Sequence, residues 1–444
     1  MRGGALALAA VAGAYGSLDS MLNIAFPDLV DGLSIEVTDL QWIIVAFVLA
    51  YGGLLVGAGR LGDQLGHQRT LSWGGVISAF GMSVCGAAPN LGVLIGGRVV
   101  QGIGTALVMA SAPALVTRTV GAERRGQALG IFQMSAAIGL AVGPLLGGPL
   151  VAVFGWRAVF WIRVPVGLAL ALLMLMLKAR DQNPVGARAD LFGPVLFALT
   201  VGSGLLAMNL GLSFGPLSPP VIALAVAAIG LGSWLVHNQT ATDDPVIDLG
   251  LLRQPTFRVA NLLNLVANGA AFVGWLFVPE YVVDVLGSPE VVGGVVLAAS
   301  PACMATVAPW AGRLSDRFGA GTVSAGGLVI QTVGLASGIA TARAESVLGL
   351  GLSLALVGVG LGLFTVPNMS FIMGSLPEDR QGVAGGLTLT MRTAGIVIGV
   401  AGLSAIFGAR ESAGFGIALA DTFMAATAAT AVAALVSLFR SARR

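Results

Sequence analysis

The sequence predicts an all-α integral membrane protein of fourteen transmembrane helices, built as two like six-helix halves around a two-helix insert. Three observations predict it. Hydrophobic residues make up 56% of the 444 positions and charged residues 10%. The apolar residues fall into stretches of about 20, the length a helix needs to cross a bilayer. Two motifs recur at nearly one long offset. The 65 glycines fit this class, because small residues let membrane helices approach closely.

The spans fall near residues 5–27, 41–60, 70–88, 91–113, 127–149, 156–177, 191–212, 218–237, 258–279, 291–311, 322–341, 346–367, 384–407 and 416–438. Span one follows Arg2 and carries Asp19 and Pro27 without a small-residue cleavage site, so it reads as a retained helix and not a signal peptide. A glycine-rich turn with Asp63 and Arg69 joins spans two and three, span four carries Arg98, and span five carries glycines at four-residue intervals. Spans seven and eight have no counterpart elsewhere. Span nine carries Asn261, Asn264, Asn268 and Trp275, and span thirteen carries Arg392, a buried cation of structural character.

The repeat organises these spans. Gly59-Arg60-Leu61-Gly62-Asp63-Gln64-Leu65-Gly66 recurs as Gly312-Arg313-Leu314-Ser315-Asp316-Arg317-Phe318-Gly319, an offset of 253. Arg124-x-Gly126-x-Ala128-x-Gly130 recurs as Arg380-x-Gly382-x-Ala384-x-Gly386, an offset of 256. Matched offsets imply duplicated halves of like orientation. The expected division is therefore a first six-helix bundle over 1–178, the insert and its linkers over 179–257, and a second bundle over 258–444, the bundles related by a pseudo-two-fold axis. With both termini in the cytoplasm, seventeen of the 23 basic residues lie on the cytoplasmic side; Arg157, Arg163, Arg343 and Arg410 fall outside, and Arg98 and Arg392 lie within spans.

Composition also excludes function classes. A net charge of +2 with scattered basic residues offers no stripe for nucleic acid. Cys85 and Cys303 are far apart in apolar segments, which suggests neither a disulfide nor a metal site, and no cofactor motif is present. The single lysine, Lys178, follows Leu177, so there is no phosphate-binding Gly-Lys-Ser/Thr for an ATP-driven pump. His67 and His237 sit at span ends, away from any intramembrane chemistry, and an enzyme is not expected. A receptor would need a soluble domain, and the longest inter-span segment, 238–257, is too short for one.

Asp19 is the carboxylate placed inside a span. A charged acid there costs about 3 kcal/mol even on lenient insertion scales, so such residues commonly mark ion or proton paths. On an α-helix Tyr15, Asp19 and Asn23 share a face. Burial favours the neutral acid and a nearby guanidinium the carboxylate, so a cation that approaches and leaves can switch protonation. Arg98 is that cation: both residues lie roughly 10–12 Å below the outer ends of their spans at 1.5 Å per residue. On span five Gly139, Gly143 and Gly147 form a groove for a close helix, with Pro144 removing a backbone donor. On span nine the three asparagines and Trp275 share a face expected to line a central cavity opposite Asp19, although the same stripe suits helix packing. With two buried arginines and one buried acid, the cavity disfavours dications. The position equivalent to Asp19 in the second half, near Ala271 and Phe272, is apolar, so proton handling belongs to the first half.

The motifs carry a resemblance. The loop from Gly59 to Arg69 resembles the signature between spans two and three of the major facilitator superfamily. Gly139-x-x-x-Gly143-Pro144-x-x-Gly147-Gly148 is similar to the span-five motif of its antiporters. Asp19-x-x-x-Asn23-x-Ala25-x-Pro27, Arg98-x-x-Gln101-Gly102-x-Gly104 and Trp156-Arg157 through Pro165-x-Gly167 resemble its fourteen-span drug:proton antiporter branch. The resemblance implies a proton-coupling role for Asp19 and Arg98, and control of leakage by the span-five motif. It also implies a cytoplasmic latch at Asp63 and Arg69, with Asp316 as the structural counterpart in the second half. His67 and Gln68 replace basic residues of the pattern, which implies a weaker latch, and Arg163 stands where the pattern has Asn.

The reading is a proton-coupled exporter of small amphipathic compounds working by alternating access, a monomer in a bacterial cytoplasmic membrane, with small molecules and protons as its partners. The alternative is a dedicated exporter of one metabolite or self-made antibiotic. A non-transporting receptor or scaffold is the remote third.

Overall fold

The computed structural model describes residues 11–35, 40–120, 125–176, 192–215, 217–241, 254–374 and 381–442. These residues form helices joined by short turns, with no strand among them. That follows from the composition: in lipid every backbone polar group needs an internal partner, and a helix supplies one within its own segment.

Helix α1 covers residues 11–33 and is broken, with a 3-10 stretch at Leu18–Ala25 followed by an α-helical turn pair at Phe26–Leu33. Then come α2 (Leu40–Leu65), α3 (His67–Gly86), α4 (Leu91–Val120) and α5 (Arg125–Phe154). Helix α6 comprises Ala158–Trp161 and Arg163–Met176; α7 is Phe192–Phe214 and α8 Pro219–Ala241. Helix α9 comprises Pro255–Ala271 and Val273–Glu280, followed by α10 (Glu290–Phe318), α11 (Ala320–Arg343), α12 (Val347–Gly374), α13 (Gln381–Arg410) and α14 (Phe415–Ala442).

Ten of these helices are long and apolar enough to cross a membrane, and the stretches Ala158–Met174 and Val195–Gly204 are apolar but shorter, among the described residues. Fourteen such spans are expected from the sequence, so length and apolarity support twelve segments and correct that count. The two that fall short have physical reasons. Helix α1 is interrupted by its 3-10 stretch, and α3 opens on His67, Gln68, Arg69 and Thr70, which dilute an otherwise full-length helix.

The repeat is visible in the backbone. Gly66 ends the turn before α3 at φ +96°, and Gly319 ends the turn before α11 at φ +87°, with ψ of +131° and +137°. Such angles favour glycine. The first helix of each half also breaks at the equivalent place, α1 from Leu18 and α9 at Phe272. In each half the third and fourth helices close through glycine. A Cβ on Gly74 or Gly104 would collide with backbone across the α3–α4 contact, and one on Gly327 or Gly334 with backbone across the α11–α12 contact.

The halves meet toward the end of the molecule that carries the Gly66 and Gly319 turns. There Gly386 of α13 lies against Leu55 of α2, the Thr390 hydroxyl donates to the Gly52 carbonyl at 3.3 Å, and Gly126 and Gly312 bring α5 and α10 into backbone contact. The insert packs outside this seam. Leu196 and Phe197 of α7 and Leu235 of α8 join Val56, Phe257 and Leu387 in one apolar cluster, while most of α8 is exposed.

Candidate functional site

A cavity of about 540 Å³ lies between the halves, on the far side of that seam. Its lining carries two charged residues, Asp19 and Arg392. The rest is aromatic, aliphatic or neutral polar, including Phe47, Tyr51, Thr105, Gln133, Asn268 and Trp275. A volume of this size suits a drug-sized ligand.

Asp19 is held by three side chains. Arg98 donates to both carboxylate oxygens, Nη1 to Oδ1 at 2.7 Å and Nη2 to Oδ2 at 2.9 Å. Gln101 Nε2 donates to Oδ1 at 3.0 Å, and Arg163 Nη2 lies 2.8 Å from the same oxygen. A carboxylate facing four donors acts as acceptor only, which is its ionised form. Arg98 is fixed in turn: its Nε donates to the Ile43 carbonyl at 3.1 Å, its Nη1 to Gln101 Oε1 at 2.8 Å, and its guanidinium lies 4.3 Å from the centre of the Phe47 ring. Arg163 is buried like Arg98, yet its Nε and Nη1 have no hydrogen-bond partner among the described residues.

Two cations therefore share one anion. Both guanidinium nitrogens lie within hydrogen-bond distance of Oδ1, so they are at most about 5.5 Å apart, the sum of 2.7 and 2.8 Å. With Asp19 neutral, their repulsion is about 3 kcal/mol at the effective dielectric that suits protein charges. Loss of the negative charge thus drives the cluster apart. Arg163 and Gln101 are the members that sequence reasoning misses. Arg163 falls within the limits of span six, where depth counted from the helix end could have revealed it.

The glycine run of α5 positions this cluster. A Cβ on Gly139 would meet the Ala14 carbonyl, one on Gly143 the Ser20 hydroxyl and Met21 nitrogen, and one on Gly147 the Met21 carbonyl. The groove thus receives α1 on both sides of Asp19, and the Ser20 hydroxyl donates across it to the Leu140 carbonyl at 3.2 Å. The side chains of Pro144 and Asn23, and the surroundings of Gly148, lie outside the described residues.

Other expected cavity residues are placed differently. Tyr15 is buried in an apolar cluster with Leu71, Met82 and Phe132, away from the cavity lining. The 3-10 stretch beginning at Leu18 separates the faces that an unbroken helix would align. Asn261 and Asn264 also miss the lining: Asn261 Nδ2 donates to the Phe257 carbonyl at 3.1 Å, and Asn264 Nδ2 donates across to the Thr388 carbonyl of α13 at 2.8 Å. Asn268 and Trp275 do line the cavity, with Asn268 Nδ2 bonded to Asn264 Oδ1 at 3.0 Å.

At the seam end, Asp63 Oδ1 lies 3.1 Å from Nε2 of the fully buried His67. A Cβ on Gly62 would strike that imidazole, so the histidine is accommodated by the glycine of its own motif. Arg69 is exposed. Asp316 accepts from the backbone nitrogens of Gly126 at 3.2 Å and Gln127 at 3.3 Å, so the end of α10 caps the start of α5 across the seam. Its role joins the halves, beyond the structural part expected of it.

The sequence model of the Major Facilitator Superfamily matches residues 8–400. Riboflavin transporter RibZ of Clostridioides difficile is 28% identical over 87% of this chain and 84% of its own length. Multidrug resistance protein Stp of Mycobacterium tuberculosis is 31% identical over 89% of this chain and 74% of its own. In fold the chain is similar to the outward-conformation crystal structure of FucP, a Major Facilitator Superfamily transporter, with a TM-score of 0.67 at 16% identity, covering 98% of both chains.

Proposed function

The chain belongs to the major facilitator superfamily, and from that premise we propose that it is a proton-coupled antiporter exporting small amphipathic compounds. The observation that carries the reading is the Asp19 cluster, an intramembrane acid in the cavity wall, clamped by Arg98, Arg163 and Gln101. The chain is a transporter and not an enzyme. On this reading it belongs to the drug:proton branch, with both termini in the cytoplasm of a bacterial cell and bundles at 1–178 and 258–444 flanking the insert. It works as a monomer.

The mechanism uses the two-cation cluster. With the Gly66 end cytoplasmic, the seam closes the inner side and the cavity faces outward. A proton arriving from outside neutralises Asp19, and the repulsion between Arg98 and Arg163 disfavours the clamped arrangement. Because α1 lies in the α5 groove, the change passes into the helix that also contacts α10 at the seam. Opening inward then releases the proton, and the clamp re-forms as substrate is carried out. A shift of about 3 kcal/mol corresponds to a population change on the order of 100-fold.

The test is proton flux and drug transport in proteoliposomes under an imposed proton gradient. Wild type should couple the two, and Asp19→Asn should lose uphill transport. Uphill transport unchanged in Asp19→Asn would sink the assignment. The narrower reading, a dedicated exporter of one compound, draws support from the relative named for riboflavin alone. Protection against a single compound in a resistance panel would favour it.

A further inference from the structure

Arg392 is the charged group of the cavity that the Asp19 cluster leaves unexplained. It sits near the middle of α13, 11 residues from Gln381, which is roughly 17 Å along the helix. It lines the cavity, and no carboxylate pairs with it among the described residues. The other charged residue in the lining, Asp19, is already occupied by two guanidinia and an amide. An intramembrane cation that faces a cavity without a counter-ion points to a ligand that supplies one.

The surroundings fit such a ligand. The Phe47 and Tyr51 rings are stacked 5.7 Å apart on α2, and the Phe272 and Trp275 rings are stacked 6.3 Å apart at the break in α9. Both pairs line the cavity with Arg392. Tyr51 also brings a phenol hydroxyl to the same lining.

We propose that the cavity takes an amphipathic organic monoanion, its carboxylate or similar head group on Arg392 and its planar body on the two aromatic pairs. A guanidinium meets a carboxylate through two parallel hydrogen bonds, which gives orientation as well as affinity. The proposal rests on reading this cavity as the transport site, and it narrows the substrate class from amphipathic compounds in general to anions. Dications and monocations face the Arg392 guanidinium in the lining together with an Asp19 carboxylate already shared by Arg98 and Arg163.

Equilibrium binding to the purified full chain in detergent tests it by calorimetry, with 2-naphthoate, neutral 2-naphthamide and the 2-naphthylmethylammonium cation as matched probes in chloride-free buffer. Wild type should bind the carboxylate at least about tenfold more tightly than the amide and the ammonium most weakly. Arg392→Gln should bring the carboxylate and amide within about twofold of each other, the carboxylate losing far more affinity than the amide, and continued amide binding reports an intact cavity. Arg392→Lys, which keeps the charge, should retain part of the preference and serves where the glutamine variant fails to fold. Equal affinities in wild type, tighter ammonium binding, no naphthoate binding, or a carboxylate preference undiminished in Arg392→Gln would each overturn the proposal. Binding needs neither a gradient nor coupling, so this result is independent of the proton-flux assay.

Discussion

Replacing Asp316 with alanine should shift the conformational balance of the whole transporter. The carboxylate accepts from Gly126 and Gln127 at 3.2 and 3.3 Å, at the end of α5 where four backbone donors lack helical partners. Losing a side-chain cap costs about 1 kcal/mol, and losing a negative charge at a helix start adds roughly 0.3–1 kcal/mol. Both bonds are at the long end of the normal range, so a total of about 1–2 kcal/mol is expected. That is a factor of roughly 5–30 between the two conformations. The cost falls on the state in which α5 and α10 touch. Spin labels at Leu65 and Phe318, exposed repeat equivalents beside the two glycine turns, report that side; labels at Ala87 and Ala344 report the other. Asp316→Ala should lengthen the Leu65–Phe318 distance distribution and shorten that of Ala87–Ala344, and Asp316→Asn should give a smaller change because the amide still accepts. Unaltered distributions for both pairs in a well-folded Asp316→Ala protein would refute the assignment of this contact as a gate.

Two further perturbations address the Asp19 cluster. Asp19→Asn leaves two buried guanidinia without their anion and should destabilise the protein by about 3–5 kcal/mol, whereas adding Arg163→Gln to it should restore about 3 kcal/mol by removing the repulsion. A double-mutant cycle on thermal unfolding in detergent measures this, and strictly additive effects would show that Arg163 and Asp19 are not coupled. Gly143→Leu forces a side chain into the space of the Ser20 hydroxyl and should cost about 1–3 kcal/mol while displacing the 3-10 stretch. Proteoliposomes should then show proton leak without drug transport, with Gly143→Ala milder; full coupling in Gly143→Leu would mean that the groove does not position Asp19.

What could be read from the sequence divides according to the kind of partner each residue has. Depth along a helix is set by residue count, so two charges that must meet in lipid can be matched from their span ends, and Asp19 with Arg98 follows from that alone. Arg163 obeys the same arithmetic once it is counted from the start of span six, and the break at Ile162 beside it has a signal in Pro165, which has no N–H to offer the Trp161 carbonyl. Helical spacing is weaker where the helix changes type. Four residues advance about 400° on an α-helix and about 480° on a 3-10 helix, so the face shared by Tyr15, Asp19 and Asn23 shears by roughly 80° across the break. Residues that bond to backbone are the least legible, because every position offers a carbonyl and an amide. Asn264 reaches the Thr388 carbonyl and Asp316 reaches the Gly126 and Gln127 nitrogens, and nothing in the identity of those three partners announces the contact. Arg392 completes the contrast: no carboxylate pairs with it among the described residues, and a cation left over after those pairs are assigned is the feature from which a ligand's charge can be inferred.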